Sequence, residues 1–521
     1  MLEAQAHHQI KTLLRQEESD WPHHLTLSRL VARSLRRRDT TLVQLPPSSS
    51  ERWWLGLLVP LCLAPEAGAL VLTAPQRRRL LQLELPRLRN QGLRLPCWQG
   101  PTPPEGPQLW LMDVGELIRA HRDGHLGQRQ LLIPEMDQLS RRMRNALTLE
   151  IEHQHWDELR QACPQAESGL LELHDRMSRQ LFADATRPDG AVRLEGSAGQ
   201  ALRDLLQLMP ASPEPWNSLR SINPAEWSQW AELDHRLLQW RWKLAPLEPL
   251  QLLRGVLLDH PCLMFSSNGD NARLDLEFEQ AGVVPDVRAT LRERELNEPL
   301  PVYAPRRQPL PNTRIYAQHL LEESRRLILG QAGLTLVLIN DDQLRRQLTS
   351  SLAAEFGRRV VHESTAPESN GVVTCNWDWW LEHQEQLPAP AQLIVGMLPI
   401  ASLDNPLTSA RVERLKQQGE DWFRTLLLPE ALSLIPAAIA PLRRSGGRLA
   451  ILDGRLRGRS WGDQVLNRLG NAMAINRLII AEGKDSTAVA AASDALAEQN
   501  ESYRRTKCQR AKAGCDGWQR D

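Results

Sequence analysis

The sequence predicts an α/β protein of two parallel-sheet units, the first interrupted by a helical insertion. Three observations carry that prediction. Short apolar runs alternate with helix-like stretches in two separate regions, around residues 25–133 and again around 312–482. A block near 134–247 lacks those short runs and reads as helical. A proline-rich joint, PLPVYAPRRQPLP at 299–311, separates the two regions.

Residues 1–24 are polar and read as an N-terminal extension. The first unit spans 25–298. A helix at 25–37 leads into a strand at 41–45, a polar turn and an apolar helix from Trp53. A strand at 69–73 follows, then an arginine-rich helix from Gln76 and a strand at 109–112. Continuous apolar runs of this length suit strands covered on both faces. Inside the insertion, Trp227, Trp230, Leu233, Leu237 and Trp240 recur at spacings of three and four, which predicts one buried stripe of a helix. The tracts 188–199 and 210–215 read as loops, and 262–267 as a strand returning to the first sheet. In the second unit the strands fall at 334–340, 371–375, 392–399 and 448–452. Residues 483–521, rich in Ala, Ser, Glu, Lys and Arg, are expected to be disordered.

The 521 residues hold 63 basic and 63 acidic side chains, so no global basic field argues for nucleic acid. Arginine clusters at 36–38, 77–79 and 455–459 offer local phosphate contacts or ordinary solvated faces. Cysteines 62, 97, 163, 262, 375, 508 and 515 form no C-x-x-C pair, which excludes common zinc and redox motifs. No secretory leader is visible, and the apolar run at 53–64 is too short to span a bilayer. A cytoplasmic protein without membrane contact is expected.

The segment 427–462 reads LLPEALSLIPAAIAPLRRSGGRLAILDGRLRGRSWG. Leu428, Pro429 and Ala431 open it, Arg448 to Arg455 form a strand ending in Asp-x-Arg, and Trp461-Gly462 close it. Upstream lies LIVGMLPIASLDNP at 393–406. Together these resemble the last conserved blocks of DinG/XPD-type superfamily 2 DNA helicases. The resemblance covers roughly 25–480 and implies two RecA-like P-loop-NTPase-type domains. It also implies ATP and magnesium as cofactors and DNA, single-stranded, as partner.

Set against that resemblance, the chemical residues are altered. A P-loop needs glycines, a lysine and a hydroxyl residue to cradle phosphates and magnesium. After the strand at 41–45 this chain offers Ser48, Ser49, Ser50, Glu51 and Arg52, with Glu51 in the place of the lysine. Exchanging cation for anion beside a phosphate turns attraction into repulsion, each contact being worth roughly 4 kcal/mol at 4 Å and an effective dielectric near 20. For the acidic motif, the strand at 109–112 ends in Asp113, Val114, Gly115 and Glu116. Asp113 reads as a possible magnesium ligand or merely as a strand end, with Glu116 as a displaced carboxylate. Ser266 and Ser267 fall at the coupling block, Pro441 at the transition-state arginine, and Arg444 alone stays in register. Only Cys62 and Cys97 lie where relatives place four cluster ligands, so no iron–sulfur cluster is expected.

The resulting expectation is a helicase-like protein with weak or lost ATP hydrolysis. Two alternatives stay open. One is an active helicase with an ATP site rearranged around Arg52, Asp113, Glu116 and Arg444. The other is a scaffold that engages a protein partner and binds neither ATP nor DNA.

Overall fold

A computed structural model describes residues 2–17, 21–46, 53–64, 68–183, 191–194, 199–209, 212–267, 272–291 and 298–475. Ser48 to Arg52 and the expected tail at 483–521 lie outside the described residues. Through the first unit the strands are β1 (Thr41–Gln44), β2 (Gly68–Val71), β3 (Cys97–Trp98), β4 (Leu109–Met112) and β5 (Gln130–Ile133). The insertion adds β6 (Leu149–Ile151), β7 (Ala191–Arg193), β8 (Trp227–Asp234) and β9 (Gln239–Pro246). The chain then returns through β10 (Cys262–Ser266) and β11 (Val287–Thr290). The second unit contains β12 (Leu300–Tyr303), β13 (Thr335–Leu338), β14 (Val360–His362), β15 (Val372–Cys375), β16 (Gln392–Val395), β17 (Arg448–Ile451) and β18 (Ala472–Ile475).

The first sheet is parallel throughout, in the order β11-β1-β10-β5-β2-β4-β3. Its side chains alternate between two cores. Val43, Leu70, Leu111 and Leu132 enter one, while Leu42, Ala69, Trp110 and Leu131 enter the other. The period of two explains why each run is apolar throughout. The second sheet, β14-β15-β13-β16-β17-β12-β18, is also parallel. Leu336, Leu393 and Leu449 face one of its cores, and Val337, Ile394 and Ala450 the other.

Several expectations change. Residues 2–17 form a helix whose Ile10 and Leu13 sit in the first core, with Glu3 paired to Arg36 at 2.7 Å. The N-terminal extension is therefore part of the first unit. The insertion is not purely helical, because β6, β7, β8 and β9 form an antiparallel sheet. The predicted tryptophan helix is the β8–β9 hairpin, and Leu237 sits 67% exposed near its tip. Trp240, Trp242 and Leu244 turn inward while Gln239 and Arg241 face out, a period-two signal that the three-four spacing masked. The expected loop at 188–199 contains β7. Within the proline-rich joint, Leu300–Tyr303 is a strand held between β17 and β18.

The stretch Phe423–Ser445 is long and apolar enough, by length and composition alone, to cross a membrane. It serves the second core instead. Ile435, Ala438, Ile439 and Leu442 of its helix pack beneath the sheet.

Candidate functional site

In a parallel α/β sheet, ligands gather beyond the carboxyl ends of the strands. Which side chains can share a ligand therefore depends on strand order. Beside β1 lies β10, then β5, β2 and β4. At about 4.8 Å per strand, the end of β5 is about 10 Å from β1 and the end of β4 about 19 Å. Asp113 follows β4, too far to hold a magnesium ion at phosphates bound after β1.

The local chemistry of Asp113 points elsewhere. It is the N-cap of the helix Val114–Arg122 and accepts a hydrogen bond from the Glu116 amide at 2.7 Å. Glu116 Oε2 accepts from the Asp113 amide at 2.6 Å and from Arg77 at 2.7 Å. This reciprocal pattern satisfies two backbone donors that a helix start otherwise leaves open. Val114 is buried in the core. Asp113 and Glu116 thus act as a helix-capping pair.

The carboxylates closer to β1 follow β5, a strand absent from the sequence reading. Its sequel is Pro134, Glu135, Met136 and Asp137. Glu135 adopts a left-handed conformation at φ 57° and pairs with Arg142. Non-glycine residues rarely occupy this region, and such strain concentrates at functional sites. Asp137 Oδ1 accepts from the Ser267 amide at 3.3 Å, joining the end of β5 to the end of β10. Burial, reinforced by Glu135, pushes the Asp137 carboxyl up to about 6. Ser266 is fully buried at the end of β10.

Glu135, Asp137, Arg142 and Ser267 line a cavity of about 250 Å³ between the two units. Asp378, Glu382, Glu385 and Ala437 form the opposing wall. Arg141 crosses it to pair with Asp378. Five carboxylates and two arginines line the cavity, so its lining is acidic. Pro441 is buried one turn beyond Ala437. Arg444 is exposed in the last helical turn, about 10 Å along the axis from Ala437. Asp113 and Glu116 are joined to each other by the helix cap, and neither they nor Arg444 line this cavity.

The family-like segments of the second unit have structural roles. Asp453, fully buried, accepts from the Leu398 amide at 2.8 Å and from Arg455 Nη2 at 2.6 Å. Arg455 also donates to the Leu398 carbonyl at 3.2 Å, so the Asp-x-Arg pair clamps the LPIASLDNP loop to the end of β17. Asn405 caps the helix Pro406–Gln417. A Cβ on Gly462 would lie 1.8 Å from the Leu456 carbonyl oxygen, which only glycine avoids. Trp377 and Trp380 are core residues whose indoles donate to the Met397 and Ala438 carbonyls.

No protein-family model matches the chain. A 131-residue segment is 28% identical to the ATP-dependent DNA helicase YoaA of Haemophilus influenzae. That match covers 25% of this chain and about a fifth of the relative's length. Among solved structures, S. tokodaii Xpd4 superposes with a TM-score of 0.58 at 12% identity, over 85% of this chain and 98% of that one. An XPD helicase superposes at 0.59 and 11%, over 88% and 99%. The chain has the fold of the XPD helicases, two RecA-like domains, as its sequence resemblance implied.

Proposed function

We propose that this helicase-fold protein holds a nucleic-acid strand, single-stranded DNA in the first instance, without a working ATPase of its own. The observation that carries the reading is the end of β5. The strand end within reach of β1 begins with Pro134, which has no side-chain oxygen for magnesium. Glu135 is tied to Arg142, and the carboxyl of Asp137 is raised toward its neutral form. Magnesium needs several oxygen ligands in near-octahedral geometry, and the residues present do not fit it. Glu51 and Pro441 stand where a lysine and an arginine would stabilise phosphoryl charge in the family pattern. An acidic cleft adds repulsion toward a triphosphate.

The rearranged-site alternative needs Asp113 and Glu116 free to act beside Arg444, and their engagement in a helix cap beyond β4 weighs against it. The partner-only scaffold makes a distinct prediction, because phosphate contacts weaken steeply with salt. Binding of a labelled single strand that falls with rising salt supports the proposed reading, and no binding at low salt supports the scaffold.

The direct test is ATP binding and hydrolysis by the full chain, with and without single-stranded DNA. Absence of magnesium-dependent binding at millimolar ATP is the expected result. DNA-stimulated turnover lost in Glu135→Gln would overturn the reading and place catalysis at the end of β5.

A further inference from the structure

The helix Leu139–Leu147 separates two different environments. Arg141, Arg142 and Asn145 face the acidic cleft, while Ser140 and Arg144, one turn apart, face a second cavity of about 100 Å³. This second cavity also lies between the units, and Arg273, Arg411 and Arg414 reach it together with Arg144.

The carboxylates there are fewer than the guanidinium groups. Arg273 pairs with Glu277 at 3.0 Å and, across the units, with Glu430 at 3.2 Å. Arg411 pairs with the same Glu430 at 2.7 Å, and Arg414 with Glu248 at 3.2 Å. Arg144 has no carboxylate in ion-pair range among the described residues. Its Nε and Nη2 donate to the Pro246 and Leu247 carbonyls at 3.2 and 3.3 Å. Those carbonyls satisfy hydrogen bonds but supply no counter-charge. A buried cation in that state is costly, and burial together with Arg411 and Arg273 pulls Arg144 down to about 9 against the longer-range attraction of Glu430 and Glu277. An anion in the adjoining space would relieve the imbalance, and planar guanidinium forks match tetrahedral oxyanions well.

We infer that this interdomain cavity binds a phosphate group, held chiefly by Arg144 and Arg414, with Arg411 contributing charge. The group is either inorganic phosphate or the terminal phosphate of a nucleic-acid strand. Neither requires the ATPase to be lost, so the site stands apart from the preceding reading.

The test is thermal unfolding of the full chain as inorganic phosphate replaces chloride at constant ionic strength. A saturable rise in melting temperature is expected, with apparent affinity about tenfold weaker in Arg144→Met and Arg414→Gln. Arg414 sits at the rim, one-third exposed, so its variant carries the test where Arg144→Met does not fold. A 5′-phosphorylated oligonucleotide is then compared with its unphosphorylated twin. Preference for the phosphorylated strand, erased by Arg414→Gln, assigns a strand end. Equal binding of the two strands beside a saturable phosphate response assigns the free ion. No saturable response and no preference would overturn the site.

Discussion

The carboxylate of Asp137 and the backbone amide of Ser267, 3.3 Å apart, tie the end of β5 to the end of β10. Raised from an ordinary 3.8 to about 6, this carboxyl holds its proton more tightly folded than unfolded. Between those values the unfolded chain ionises first, so stability falls as pH rises through about 4 to 6 and then levels. The cost at neutral pH is on the order of 3 kcal/mol. Asp137→Asn keeps an acceptor for Ser267 and removes the charge. Urea unfolding should show the variant more stable by about that amount at pH 7.5 and equal to the parent near pH 4. A destabilised variant at pH 7.5 would contradict the assignment.

Glu430 behaves in the opposite sense. Burial raises its pKa, but Arg411 and then Arg273 outweigh that and hold the carboxyl down at about 2, below the ordinary 4.5. Its contribution is complete above pH 4.5 and is lost as pH falls toward 2. Glu430→Gln leaves buried arginines facing one another across the units and should cost about 3–5 kcal/mol in denaturant unfolding. Small-angle scattering on the variant should show the two units separating. An unchanged profile and unchanged stability would remove the interdomain role.

Asp113→Ala tests the capping assignment. Loss of an N-cap costs about 1 kcal/mol, and the effect should appear in stability alone. Calorimetric titration with ATP and magnesium should be the same for parent and variant. A selective loss of nucleotide affinity would return Asp113 to the candidate metal site.

Gly462→Ala forces a methyl group into the Leu456 carbonyl. Overpacking against backbone has no cheap relief, and a loss of about 3 kcal/mol is expected. Far-ultraviolet melting curves provide the measurement, and a variant within 0.5 kcal/mol of the parent would show that the turn adapts.

The buried strands of the second unit were legible because β13, β15, β16 and β17 are apolar on both faces and bounded by turns. The segment 427–462 was legible as a pattern, since its Leu-Pro opening, Asp-x-Arg clamp and Gly462 answer to local geometry. Two elements were misread for physical reasons. In the β8–β9 hairpin, Trp230, Leu233, Leu237 and Trp240 satisfy a spacing of three or four by coincidence of two antiparallel strands. The four residues of β5 run directly into a proline and a helical pattern, so nothing local marks them as a strand.

The sequence by itself determined that two parallel-sheet units exist, that their strands are covered on both faces, and that Ser48 to Arg52 contain neither glycine nor lysine. Only the tertiary structure decided which carboxylates stand near β1. Strand order in a parallel sheet is set by crossover connections and the packing of helices on both faces, not by order along the chain. For that reason Asp113, nearer to β1 in sequence, caps a helix about 19 Å away, while Glu135 and Asp137, further along the chain, lie two strands from β1.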